Sequence, residues 1–217
     1  MVASLVPACE FAADVGTDHG YLSAWLLQSG TAQQVFATDI NAGPLSRAKQ
    51  TAQEFELSDK MEFHLCDGLQ FPGAERAQAV ILAGMGGETM VSILEAAPWS
   101  WQTTALILQP QSKQRLLYAW LREHAIPISE AKLCEDAGKR YLAFRAGTEG
   151  SIHDSVEDLL LRAHDPLLPD YIESEVMRIS RAIAGINAAS RDMESEKNDL
   201  NLQLEYYQQY QKAVKAW

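Results

Sequence analysis

Cysteine is scarce in this 217-residue chain, and Cys9, Cys66 and Cys134 stand far apart with no Cys-x-x-Cys spacing. An odd, scattered set implies neither a disulfide framework nor a zinc knuckle, so the three read as small core hydrophobes. Long apolar runs are also missing. No window approaches the ~20 apolar residues that a membrane helix needs. No basic segment followed by an apolar stretch opens the sequence, and a cytoplasmic protein is expected. His64, His124, His153 and His164 lack paired ligand spacing, so no metal is expected. Basic residues are the last shortage, 18 against 29 acidic, for a formal net charge of -11. That excess disfavours a nucleic-acid partner, whose phosphates need Lys and Arg.

What is present suits a folded protein. With 47% hydrophobic and 22% charged residues, the chain can bury the core of one domain of about 150 residues plus a remainder. The charge is unevenly spread. Residues 1–110 carry four basic and twelve acidic side chains and residues 146–217 seven and thirteen, whereas residues 111–145 carry seven and four. That stretch, with Lys113, Arg115, Arg122, Lys132, Lys139, Arg140 and Arg145, is either a local binding face or scattered solvated charge.

Short apolar runs alternate with helical patterns. Strands are predicted at residues 11–15, 35–40, 61–66, 79–83, 105–109, 126–134 and 140–145, and helices near 21–29, 44–55, 88–96 and 112–124. Such alternation implies right-handed crossovers and an α/β fold whose mostly parallel sheet is covered on both faces. The last two strands break the rhythm. Only residues 135–139, including Ala137-Gly138, separate them, which predicts an antiparallel hairpin. This domain spans residues 1–147. Residues 147–151 read as a linker, Asp165-Pro166 with Pro169-Asp170 as a further break, and residues 151–217 as a small helical domain. There Val176, Ile179, Ile183, Ile186, Met193, Leu200, Leu204, Tyr207 and Val214 share one heptad seam, interrupted by Ser190, Lys197 and Gln211. A seam of this kind predicts a coiled coil, folded back within the polar stretch 190–199.

Chemistry concentrates at strand ends. The first strand leads into Asp14-Val15-Gly16-Thr17-Asp18-His19-Gly20-Tyr21-Leu22. Glycines there let a ligand approach the backbone, and the following helix offers unpaired N–H groups to an anionic group. The segment departs from G-x-G-x-x-G, because Asp18 replaces the second glycine and would repel a pyrophosphate. An amino-acid moiety, with its amine and carboxylate, suits this mixed lining; the other reading is a tight turn with its acids in solvent. Asp39 ends strand two, where a carboxylate accepts from both ribose hydroxyls of an adenosine. Asp67-Gly68 ends strand three, where an acceptor meets an adenine amino group. Any one strand-end Asp also reads as a helix cap. Three on successive C-terminal strand ends, where open α/β sheets bind ligands, predict a cofactor. Ala83-Gly84-Met85-Gly86-Gly87 follows strand four, and three glycines in four positions predict a close approach to the acceptor. Met85 either faces that acceptor or fills a gap. Gln109, before Pro110, either orients a base edge or caps its strand.

Asp14 to Leu22, Ala83 to Gly87, Leu106-Ile107-Leu108-Gln109-Pro110 and Glu135-Asp136-Ala137-Gly138-Lys139-Arg140-Tyr141 resemble the signature segments of the bacterial tRNA adenine-22 N1-methyltransferases, the TrmK family. The resemblance covers residues 5–186 in order and spacing. It implies a Rossmann-like class I methyltransferase sheet with a coiled-coil C-terminal domain, S-adenosylmethionine as cofactor, tRNA as partner and N1-methylation of an adenine. By the same resemblance, Asp14, Gly16, Asp18, Gly20, Asp39, Asp67 and Gly68 line the cofactor pocket, with Thr17, Tyr21, Ile40, Ala83 and Gly84 beside them. Met85, Gly86 and Gly87 form the acceptor side. Asp18, His19 and Gln109 are the candidate catalytic residues, and Lys113, Arg115, Lys139 and Arg140 the candidate RNA contacts. The chain departs from the family in three places. Only Met1 to Val6 precede Pro7 where relatives carry a basic helix, Gln111 stands where they have Asn, and Asp165-Pro166 stands where they have Gly-Pro. A methyltransferase for a small molecule or protein and a non-catalytic cofactor-binding scaffold remain alternatives. Asp18 disfavours a third, a nicotinamide-dependent oxidoreductase.

Overall fold

The computed structural model describes residues 1–97, 99, 101–147, 149–188 and 194–217. They form two compact units, residues 1–132 with 141–156, and residues 133–140 with 157–217. In chain order the sheet elements are β1 (Cys9–Val15), α1 (Tyr21–Gln28), β2 (Ala32–Asp39), α2 (Ala42–Glu54), β3 (Met61–Leu65), β4 (Ala79–Gly86), α3 (Gly87–Ala96), β5 (Ala105–Ser112), α4 (Gln114–Glu123), β6 (Ile128–Asp136) and β7 (Lys139–Ala146). Three helices follow, α5 (Val156–Arg162), α6 (Leu168–Ala188) and α7 (Glu194–Val214).

The sheet has the order β3-β2-β1-β4-β5-β7-β6. β1 to β5 pair in parallel, and β7 runs antiparallel to β5. This is the mostly parallel sheet with an antiparallel end that the sequence predicts. Its middle strands are continuous apolar runs because helices cover both faces. Val35, Phe36 and Ala37, then Val80, Ile81 and Leu82, then Leu106, Ile107 and Leu108 are all fully buried. Each large side chain so buried stabilises the fold by roughly 1.5–3 kcal/mol. From β1 the chain winds outward through β2 and β3, then returns to lay β4 on the other side of β1. The reversal opens a crevice at the C-terminal ends of β1 and β4, the place where sheets of this type take ligands.

Several boundaries differ from the sequence reading for local reasons. β1 and β2 begin earlier, at Cys9 and Ala32, which pair directly; the polar pair Gln33 and Gln34 hides that start. β2 ends at Asp39, which leaves Ile40 outside it. Residues 84–86, read as a loop, continue the β4–β5 ladder with register shifts between Ala83 and Met85 and again before Gly86. Glycine tolerates such bulges, and the strand bends there. The hairpin turns on Ala137 and Gly138, both left-handed at φ 48° and 73°, as a two-residue turn of this hand requires. At the two ends of the stretch read as a linker, Gly147 N–H donates to the Pro127 carbonyl at 3.0 Å and Ser151 bridges Ile128.

In the helical unit Asp165-Pro166 is the break, where the Asp165 carboxylate and carbonyl receive the N–H groups of Leu167 and Leu168. Pro169-Asp170 does not break the chain, since Pro169 sits in the first turn of α6, where a missing N–H costs nothing. The short helix α5 carried no sequence signal. α6 and α7, 21 residues each, pack together with Ile179 and Tyr207 of the seam buried. Ser190, Met193 and the start of the polar fold-back lie outside the described residues. α7 is pinned to α5 by Tyr206 Oη donating to Glu157 at 2.9 Å and Tyr210 Oη to Asp158 at 2.7 Å. Among the described residues no helix is long and apolar enough to cross a membrane.

The core makes a direct prediction. Ile81→Ala in β4 is expected to cost about 2–5 kcal/mol of stability, while Leu65→Ala, at an exposed position of β3, should change it by less than about 0.5 kcal/mol. Urea denaturation of both variants checks this, and equal midpoints would contradict the assigned core.

Candidate functional site

The turn from β1 into α1 is built around a buried carboxylate. Asp14 is 5% exposed, and its Oδ2 accepts from Ser23 Oγ at 2.6 Å and from Thr17 Oγ1 at 2.9 Å. Burial pushes the Asp14 carboxyl above its ordinary range, while the Ser23 and Thr17 hydroxyls pull the other way. Asp14 thus ties the turn to the first helix from beneath. Above it, the N–H groups of Gly16 and Thr17 both donate to the Thr38 carbonyl at 2.9 and 3.0 Å, which fastens the turn to the end of β2.

Helix α2 grips the other side. Arg47 Nη2 donates to Asp18 Oδ1 at 2.6 Å, and Thr51 Oγ1 donates to the His19 carbonyl at 2.7 Å. Gly20, at φ 71°, lies so close to Ala48 that a side-chain carbon would come within 2.9 Å of its Cβ. Only glycine meets both conditions. Arg47, Ala48 and Thr51 fall on one face of α2 and act as a clamp. The Arg47 hydrogen bond holds the exposed Asp18 carboxyl below its ordinary range, so the group stays ionised.

The other strand ends complete the edge. Asp39 is 8% exposed, with Oδ1 accepting from Asn41 N–H at 2.8 Å. Among the described residues its Oδ2 has no partner. Asp67 is exposed, and Gly68 packs so tightly on Ile93 that a side-chain carbon would meet Cγ2 at 2.8 Å. On β5, Gln109 is 8% exposed, and its Oε1 accepts from the N–H of Gly84 near the end of β4 at 2.9 Å. Met85 Cε lies 3.2 Å from where a side chain on Gly16 would begin, so the two glycine segments touch across the crevice. Gly87 starts α3 against the Lys113 carbonyl.

The structure therefore brings residues 14–21, Asp39 with Ile40, Asp67 with Gly68, and residues 83–87 with Gln109 to one edge of one sheet. The basic candidates are divided. Lys113, 3.9 Å from Glu88, and Arg115 lie at the start of α4 in the sheet unit, whereas Lys139 and Arg140 belong to the helical unit. Arg140 is held between Glu135 and Asp170, both at 3.0 Å, so its charge is already balanced. Sequence reasoning missed Ser23, Thr38, Arg47 and Thr51. Ser23 left one readable trace, a lone hydroxyl in the apolar run of α1 that requires a buried partner.

The pH dependence of stability tests the buried knot. Because the folded-state pKa of Asp14 is raised from 3.8, its contribution is most favourable below that value and is lost as pH rises through the folded pKa. Asp14→Asn keeps an acceptor for both hydroxyls and removes the charge. The variant is expected to lose less stability than wild type between pH 4 and neutrality, measured by urea denaturation; parallel curves would contradict a buried, desolvated carboxylate.

Residues 1–144 match the family described as a methyltransferase domain. The tRNA (adenine(22)-N(1))-methyltransferase of Bacillus subtilis is 30% identical over 158 residues, spanning 71% of this chain and 66% of that protein, just under two thirds of its length. Among solved structures, Streptococcus pneumoniae Sp1610 in complex with S-adenosyl-L-methionine is 25% identical, with a TM-score of 0.80 over 97% of this chain and 96% of that one. The Bacillus subtilis m1A22 tRNA methyltransferase TrmK shares the fold at 24% identity, with a TM-score of 0.82 over 97% and 95% of the two chains. A family match that starts at the first residue and takes in all of the strand-end segments described above places the chain plainly: it belongs to the methyltransferase-domain family.

Proposed function

We propose that this chain is an S-adenosylmethionine-dependent methyltransferase that modifies N1 of a tRNA adenine, the position-22 adenine of its curated relative, in the cytoplasm. The observation that carries the reading is the ordered set at the crevice: a glycine turn opening a helix, then a nearly buried Asp39 with one carboxylate oxygen still available. These residues fit the cofactor. Asp39 would accept from the ribose hydroxyls, Asp67 and Gly68 would border the adenine, and Gly16, Thr17, Gly20 and Tyr21 would offer backbone and the α1 N-terminus to the amino-acid end. Ala83 and Gly84 would close the pocket.

S-adenosylmethionine supplies an electrophilic methyl on a cationic sulfur. Adenine N1 brings an in-plane lone pair, so no side chain needs to remove a proton before attack. The protein's work is alignment and exclusion of water. Asp14 holds the turn, the α2 clamp fixes Asp18 and Gly20, and Gln109 fixes Gly84, which keeps Met85 to Gly87 at the acceptor side. Methylation leaves the base cationic. An ionised Asp18 accepting from the exocyclic amine would stabilise that developing charge, with His19 beside it. Since N1 is normally engaged in pairing, the nucleotide must turn outward to enter. The sheet unit carries this chemistry in our reading, and the helical unit serves to position the tRNA.

Incubation with labelled S-adenosylmethionine and bulk bacterial tRNA, followed by digestion to nucleosides, is expected to yield 1-methyladenosine. Label appearing without RNA, or in another nucleoside, would overturn the substrate reading. Asp39→Ala is expected to weaken cofactor binding by about 2 kcal/mol, the scale of a lost charge-assisted pair of hydrogen bonds. Calorimetry returning the wild-type affinity would remove Asp39 from the pocket.

A further inference from the structure

A chain with a net charge of -11 that takes a polyanion gains from contacts that need no cationic side chain. The outward face of α1 offers such contacts. The His19 ring stacks on Tyr21, centroids 5.7 Å apart and planes nearly parallel at 6°. Tyr21 is 62% exposed and Trp25 48% exposed, and the spacing of four residues sets both on one face of α1, one turn or ~6 Å apart. The row begins inside the turn that borders the proposed pocket. Scattered exposed aromatics are ordinary on a protein surface; a stacked His19–Tyr21 pair with Trp25 one helical turn further, beside the proposed pocket, is not scattered.

We propose that His19, Tyr21 and Trp25 form a stacking platform for the unpaired tRNA bases that flank the target adenine. The proposal rests on the tRNA reading above. Turning a nucleotide outward leaves its neighbours unstacked, and those bases need new apolar faces. Aromatic rings supply them without regard to sequence, because every base has a π-face, and without cationic charge. The platform would therefore hold the RNA beside the pocket in a region where residues 1–110 carry only four basic side chains.

Trp25 is the residue to test, since it lies on the exposed face of α1 and has no part in the pocket or the chemistry. Trp25→Ala and Trp25→Phe would be compared with wild type for binding to an unmodified tRNA transcript at several salt concentrations. Cofactor affinity by calorimetry and melting temperature would be recorded alongside. Trp25→Ala is expected to weaken tRNA binding roughly tenfold, the scale of one lost base stack, and to raise KM for tRNA with kcat close to wild type. The slope of log affinity against log salt should stay unchanged, because a stacked base releases no counterions. Trp25→Phe should restore most of the affinity. Unchanged tRNA affinity in the Ala variant would overturn the platform, as would a flattened salt slope, a weakened cofactor affinity or a lowered melting temperature, each of which marks a different role. Wild-type protein that fails to bind tRNA at all would instead overturn the tRNA reading, and the platform with it.

Discussion

The turn at the C-terminal edge of the sheet depends on one buried carboxylate. Asp14 lies one residue before the end of β1 in a place closed to water, where an ionised group is costly unless it is hydrogen-bonded. Thr17 and Ser23 supply the donors from the turn and from the first helix, so satisfying Asp14 obliges the chain to reverse between them. The left-handed glycines at 16 and 20 make that reversal sterically available. The requirement of one group thus fixes the path of the backbone that borders the crevice.

Two further locks act on the same edge by different physics. The α2 clamp uses close packing at Gly20 and Ala48, flanked by polar contacts at Asp18 and His19. An exposed ion pair such as Arg47–Asp18 contributes little to stability, but it sets the charge state of a carboxylate in the β1–α1 turn. The Gln109 amide works from the neighbouring strand. By accepting from Gly84 N–H it satisfies a backbone donor that the bulged ladder leaves without a strand partner. Rigid support of this kind is what a methyl transfer needs, since its barrier falls mainly through alignment of nucleophile and methyl.

The helical unit is organised differently. Its seam is mainly apolar, yet its anchors are tyrosine–carboxylate hydrogen bonds between α7 and α5. Burial raises the carboxyl of Glu157 above its ordinary range, as it does that of Asp14 in the sheet unit. In both units a buried acid is tolerated because hydroxyl donors meet it, which joins segments that hydrophobic contact alone would leave free to slide.

The sequence by itself determined the succession of strands and helices, the antiparallel hairpin, and the strand-end residues Gly16, Asp18, Gly20, Asp39, Gly68 and Gly84 that the structure sets along one edge. All of these follow from local signals: apolar runs of strand length, helical spacing, and glycine where the backbone must take a positive φ. Tertiary structure alone decided how those residues are held. Arg47 meets Asp18 across 29 positions, Thr51 meets His19 across 32, and Gln109 meets Gly84 across 25. No window of sequence contains both members of such a pair. It also decided that residues 84–86 are bulged strand, that Ser151 bridges Ile128, and that Arg140 is neutralised by Glu135 and Asp170. The reason is the same throughout: a residue's type reports what it can bond, and only the folded chain brings the partner within reach.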